Sequence, residues 1–175
     1  MGKIAFVFAG QGSQYPGMGK EIYDNSAAGR EVFEIADSVR CGISDMCFNG
    51  SKEDLSVTIN TQPALVAVDL AWAKALEEKG ISPDAVAAFS LGEIPALTYA
   101  GAFSVEGGFN LVVKRAELMH IASINNPGAM AAVLKLENSV VEDLCEKIGG
   151  VYPVNYNCSG QLVCAGTKES IDNHV

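Results

Sequence analysis

The sequence predicts an α/β protein built in two parts. Three observations predict it. Two short apolar runs, residues 4–8 and 85–89, each end in a turn of small residues. Segments with helical spacing of apolar side chains follow each run, the alternation that gives a parallel sheet covered by helices. From Ala129 onward the order changes to strand, helix, strand, strand, helix.

Taken in order, residues 4–8 read as a buried strand running into the loop Ala9-Gly10-Gln11-Gly12-Ser13. Residues 26–40 place Val32, Phe33, Ile35, Ala36 and Val39 on one face, an amphipathic helix with Asn25 or Ser26 as its N-cap. Residues 61–79 read as a more buried helix around Leu65, Val68, Leu70, Trp72 and Leu76. Gly80 fits the position just past its end, and Pro63 sits near its start, where proline is tolerated. Residues 85–89 form a second buried strand. It runs directly into Ser90-Leu91-Gly92-Glu93 and a helix that Gly101 should end. Residues 105–123 form a further helix.

In the second part, residues 129–136 are a strand and residues 139–148 a helix carrying Val140, Val141, Leu144 and Ile148. Residues 151–156 and 162–165 are strands joined by the turn Asn157-Cys158-Ser159-Gly160, and a helix begins at Lys168. This β-α-β-β-α order is a ferredoxin-like unit without its sixth element, a final strand. A sheet short of that strand has an unpaired edge, so the natural chain is expected to continue past Val175. The division is expected between residues 126 and 127. No internal repeat or low-complexity stretch is visible.

The chain has 175 residues, a prior for one domain. That length suffices to bury about two-thirds of the surface an unfolded chain exposes. Hydrophobic residues make up 49% and charged residues 19%, which fits a folded protein rather than a disordered one. A net charge of −9 argues against nucleic acid or an anionic membrane as a general partner. An anionic substrate would then need a local, fixed cation.

Five cysteines without CxxC spacing and only two histidines argue against a zinc site or a disulfide framework. Reduced thiols in a cytoplasmic protein are the expectation, with no metal. The N-terminal apolar run is too short for a signal segment, Phe6 does not fit a myristoylation signal, and no stretch would span a membrane.

Chemistry concentrates at Ala88-Phe89-Ser90-Leu91-Gly92, between an apolar run and a helix. A nucleophile elbow belongs at such a junction. It needs small residues two places before and after the serine, because side chains there would strike the strand and helix. Ala88 and Gly92 supply them. The turn leaves Ser90 at a helix N-terminus, where free backbone N–H groups and the helix dipole can stabilise an oxyanion. Ser90 then needs a base to take its proton. An ordinary serine N-cap accounts for this segment alone equally well.

Several separated segments carry a resemblance. Phe8-Ala9-Gly10-Gln11-Gly12-Ser13-Gln14 resembles the GQGSQ loop of malonyl-CoA:acyl-carrier-protein transacylases and polyketide acyltransferase domains. Thr61-Gln62-Pro63-Ala64-Leu65 is similar to their TQPAL segment, and Ser90-Leu91-Gly92-Glu93 to the second half of GHSLGE. Arg115, within Lys114-Arg115-Ala116-Glu117-Leu118-Met119, matches the arginine of their RGxLM helix. Residues 128–132 and 157–163 are similar to later segments, and the matches run in order along the whole chain.

The resemblance implies the N-terminal part of a hydrolase-like α/β subdomain, followed by the ferredoxin-like one. It implies that Ser90 attacks the thioester of malonyl-CoA and that the acyl group then passes to the thiol of the acyl carrier protein, a ping-pong reaction of fatty-acid or polyketide synthesis. Backbone N–H groups of Gln11 and Leu91 would form the oxyanion hole. Arg115, with Gln62 beside the substrate, would hold the malonyl carboxylate in a bidentate pair. No cofactor is implied beyond the CoA thioester as substrate.

Two departures bear on function. Phe89 stands where the family usually has histidine, which removes a hydrogen-bonding group beside the acyl pocket. The family's base histidine matches neither His120 nor His174, so the 175 residues alone are expected to turn over poorly. An esterase or thioesterase using the same elbow, and a non-catalytic carrier-protein-binding homologue, remain open alternatives.

Overall fold

The computed structural model describes residues 2–174, with the His174 side chain outside the described residues. The chain divides into two compact units, Met1–His120 and Ile121–Val175. The division falls inside a long helix rather than after it.

In the first unit, β1 (Ala5–Phe8) is followed by α1 (Lys20–Asn25), α2 (Ala27–Val39), α3 (Ile43–Asn49), α4 (Lys52–Ser56) and α5 (Thr58–Glu78). Then come β2 (Ala85–Ala88), a one-turn 3-10 helix (Ser90–Gly92), α6 (Glu93–Tyr99) and α7 (Val105–Asn125). β1 and β2 pair in parallel, with Ala5 opposite Ala85 and Phe8 opposite Ala88. Both strands therefore end at the same edge of the sheet.

The helix ends follow local chemistry. Ser26 caps α2 by accepting the Gly29 N–H at 2.9 Å, and its hydroxyl donates to Glu78 Oε2 at 2.7 Å. One serine thus ties the start of α2 to the end of α5. α5 stops in a Schellman arrangement: Ile81 N–H bonds to Leu76 O, Gly80 N–H bonds to Glu77 O, and Gly80 has φ 78°. Pro95 is the third residue of α6, in the first turn, where its missing N–H costs no helical bond.

α5 starts a turn earlier than the spacing predicts, so Pro63 lies inside it. Proline has no N–H for the carbonyl four residues back, here that of Ile59. The Arg40 guanidinium fills that role: Nη1 donates to Ile59 O, and Nη2 donates to Asn60 Oδ1 at 2.8 Å.

The core of this unit is α5 wrapped by its neighbours. Phe33, Ala64, Ala67, Leu70, Ala71, Phe109 and Val112 are fully buried together. The alanines of α5 let neighbouring elements approach closely, so the helix is apolar on most of its circumference.

Two expectations of burial need correction. β1 alternates between exposed and buried, with Val7 76% exposed, and β2 is mostly exposed. The helices cover one face only, where Phe6, Phe8, Ala73 and Ala96 form a small cluster. Trp72 is 43% exposed because it lies beside β1 rather than in the core of α5.

The second unit contains β3 (Ala129–Leu134), α8 (Asn138–Ile148), β4 (Val151–Cys158), β5 (Gln161–Gly166) and α9 (Lys168–His174). The strand order is β3-β5-β4, with both pairings antiparallel. This is the split β-α-β arrangement of a ferredoxin-like unit, and β3 has one edge unpaired among the described residues. The tight β4–β5 turn uses Gly160 at φ 75°. Val141, Cys145, Val151, Leu162, Cys164 and Ile171 make its core, with the Cys145 and Cys164 sulfurs 3.6 Å apart. The cysteines of the chain are free thiols.

Candidate active site

The site is assembled where β1 and β2 end. Phe89 continues the parallel pairing by one residue, its N–H donating to Phe8 O at 3.1 Å. The chain then turns sharply at Ser90, whose φ is 50°. A left-handed backbone is unfavourable for a residue with a Cβ, by roughly 1–2 kcal/mol, and such strain persists only where the surroundings fix it.

Here the surroundings do fix it. Gly92 N–H bonds back to Phe89 O at 3.0 Å, closing the turn. A Cβ on Gly92 would lie 2.3 Å from Phe8 O and 2.8 Å from Ala9 O. A Cβ on Gly10 would lie 2.6 Å from the Phe89 ring and 2.8 Å from Phe89 O. The turn after β1 and the turn after β2 are therefore pressed together through two glycines. The carboxyl edge of a parallel sheet, where adjacent loops diverge, is where α/β proteins bind their ligands.

Ser90 itself is exposed, while Leu91 and Gly92 behind it are buried. Leu91 anchors the turn through its side chain, and its backbone N–H lies in the first turn of the helical segment, where intrahelical acceptors are lacking. Ala88 is exposed, so a methyl group is accommodated there in place of glycine. Gln11 lies in the turn after β1. That turn is braced internally: Gly12 N–H donates to Gln14 Oε1 at 2.8 Å, and the Ser13 hydroxyl donates to Gly10 O at 2.8 Å.

Arg115 lies on α7 and Gln62 on α5. Arg115 Nη1 donates to Gln62 Oε1, and Gln62 Nε2 meets Met119 Sδ at 3.3 Å. Gln62 is fully buried, and its side-chain oxygen is the acceptor for the Arg115 guanidinium. Arg115 lines a cleft of about 490 Å³ with Glu93, Ile94, Leu97, Phe103 and Met119. α6, which follows the elbow, and α7, which carries the arginine, form its walls. A mostly apolar cleft that also holds the Arg115 guanidinium, the Lys114 ammonium and the Glu93 carboxylate can take an acyl chain with a charged end.

His120 lies half-buried on α7, and the His174 side chain is outside the described residues. Sequence reading did not single out Asp69. It stands on α5 as the one acidic residue between Ala64 and Ala75. Burial pushes its carboxyl up to about 7. An acid inside so apolar a stretch was the available signal.

Among the described residues, no cluster of three or more His, Cys, Asp or Glu side chains could hold a metal ion. No helix among them is long and apolar enough to cross a membrane.

The serine turn, the glycine-braced turn beside it and the Gln62–Arg115 pair all lie in the first unit of an α/β chain. The chain belongs to the acyl transferase domain family, whose model matches residues 5–175. It is 40% identical over 177 residues to the malonyl CoA-acyl carrier protein transacylase of Bacillus subtilis strain 168, covering 98% of this chain and 56% of that protein.

The crystal structure of malonyl CoA-acyl carrier protein transacylase from Clostridium perfringens superposes with a TM-score of 0.89 at 37% identity, over 99% of this chain and 56% of that one. A malonyl-transacylase solved in complex with its type II polyketide synthase acyl-carrier protein gives 0.89 at 34% identity, over 99% and 58%. The chain thus spans about half the length of the relatives it matches.

Proposed function

We propose that this chain carries the nucleophile half of a malonyl-CoA:acyl-carrier-protein S-acyltransferase. Ser90 Oγ attacks the thioester carbonyl of malonyl-CoA. The backbone N–H groups of Gln11 and Leu91 receive the negative charge that develops on the carbonyl oxygen. The C–S bond breaks, CoA leaves as its thiol with the proton taken from Ser90, and a malonyl ester remains on the serine. The thiol of the acyl carrier protein then attacks that ester and restores the Ser90 hydroxyl, giving ping-pong turnover. Arg115, aimed by Gln62, pairs with the free carboxylate throughout.

The observation that carries this reading is the left-handed backbone of Ser90, held by Gly10 and Gly92. A plain N-cap serine needs no such strain. The family relation and the arginine-lined cleft support the substrate class. A cytoplasmic role in fatty-acid or polyketide synthesis goes with it, as does a base histidine supplied by sequence other than these 175 residues.

The test is acyl transfer to carrier protein from malonyl-CoA and from acetyl-CoA, with Arg115→Ala in parallel. Slow transfer by the 175 residues, with a malonyl preference that Arg115→Ala removes, fits the reading. Turnover at the rate of an intact transacylase would exclude the missing-base part. An unchanged preference in Arg115→Ala would exclude the arginine's role.

A further inference from the structure

The acyl-transfer reading uses none of the cysteines, and two of them meet. Cys145 on α8 and Cys164 on β5 lie in the core of the second unit with their sulfurs 3.6 Å apart. The other three stand alone. Cys47 is buried in the first unit against the Ala64 carbonyl, and Cys41 and Cys158 are exposed.

The fold explains the meeting. β5 is the middle strand of its sheet, and Leu162 and Cys164, two residues apart, are both buried on its helix-covered face. On α8, Val141 and Cys145 lie one turn apart on the face that packs against that sheet. A disulfide holds its sulfurs about 2.05 Å apart, so this pair must close by about 1.5 Å. A close-packed interior would resist that movement. Here a cavity of about 320 Å³ borders both sulfurs, with Val133, Leu136, Leu144 and Val151 among its apolar walls. A side-chain rotation and a small neutral reagent both find room there. Cys145 also lines a second groove beside Glu142 and Gly149, and it is 6% exposed against 1% for Cys164. An incoming reagent therefore meets Cys145 first.

We infer that Cys145 and Cys164 form an oxidation site, at which a peroxide converts the two thiols into a disulfide between α8 and β5. The Cys145 sulfur attacks one peroxide oxygen. An S–O bond forms, the O–O bond breaks, and the departing oxygen takes the thiol proton and leaves as water. The Cys164 sulfur then attacks the resulting sulfenic acid. The S–S bond forms, the S–O bond breaks, and a second water leaves with the Cys164 proton. The thiol pair loses two electrons and the peroxide gains them. The cross-link ties the middle strand to the helix that covers it.

The test exposes the folded 175-residue chain to hydrogen peroxide, alkylates the remaining thiols after denaturation and maps the peptides by mass spectrometry. The same chain oxidised in denaturant is the reference. A Cys145–Cys164 cross-link, lighter by two hydrogens and reversed by a thiol reductant, is expected as the main disulfide of the folded chain and a minor one of the unfolded chain. Recovery of Cys145 and Cys164 as alkylated thiols, once Cys41 and Cys158 are oxidised, overturns the inference. A cross-link no more frequent in the folded than in the unfolded chain does so too.

The order of attack is read with dimedone, which captures sulfenic acids. Cys164→Ala should leave a labelled Cys145, and Cys145→Ala should leave Cys164 a thiol; the reverse pattern overturns the order. If either variant does not fold, the mapping in the unmodified chain still decides the pair. Amide exchange in α8 and β5 is expected to slow by about tenfold on oxidation, because the cross-link restrains their opening. Unchanged exchange in the oxidised protein overturns the tether.

Discussion

Gly10 and Phe89 are in direct contact across the two turns: a Cβ at residue 10 would sit 2.6 Å from Cδ1 of the Phe89 ring. The carbonyl of Phe89 is nearly as close, at 2.8 Å, so a rotation of the ring alone would not make room. Gly10→Ala is therefore expected to push the Gln11 turn off the elbow. Overpacking of this kind costs about 1–3 kcal/mol. A thermal melt should show the loss of stability, and acylation of Ser90 should fall further than the melt explains. A variant with unchanged melt and unchanged acylation would show that the contact is dispensable.

Arg40 and Pro63 form a second testable pair. Arg40→Ala leaves the Ile59 carbonyl without the guanidinium that takes the place of the absent proline N–H. The expected cost is about 1–3 kcal/mol, the usual penalty for a buried polar group left unpaired. Adding Pro63→Ala restores a backbone donor to the same carbonyl. Denaturant melts should show the double variant more stable than the sum of the two single effects. Strict additivity would contradict this account of the proline.

Asp69 sets a pH dependence of stability opposite in sign to that of a salt-bridged carboxylate. Its carboxyl titrates near 7 in the folded protein against 3.8 as the ordinary value. Between these values the folded form holds a proton that the unfolded chain has lost. Its contribution is therefore fully present below the unfolded value and is lost as the pH rises toward 7. Asp69→Asn, which stays neutral, should gain in melting temperature relative to the unmodified protein between about pH 5 and about pH 8. A difference that stays constant or reverses over that range would contradict the assignment.

The elements that could be read from sequence were those with a local signature. Ser26 as a cap, Gly80 as a left-handed stop and the β-α-β-β-α order each show in a few adjacent residues, and the structure has them. The short helices α1, α3 and α4 escaped because each buries only one or two side chains, too few to form a period.

The exposure of β1, β2 and Trp72 was misread because an apolar run does not reveal whether both of its faces are covered. The site divides in the same way. Ser90 and Gly92 stand together in the sequence, whereas the pairing of Gln62 with Arg115 joins residues 53 positions apart. Asp69 lies beside β1 although it belongs to a distant helix, and only packing brings that carboxylate there.

The central claim is that Ser90 is a nucleophile held ready by its backbone. Intact-mass analysis with peptide mapping, after prolonged incubation of the 175-residue chain with malonyl-CoA, tests it directly. The account predicts one malonyl adduct, mapped to Ser90 and absent from Ser90→Ala. A folded chain that takes up no malonyl group, or a Ser90→Ala variant that is labelled to the same extent, would contradict it.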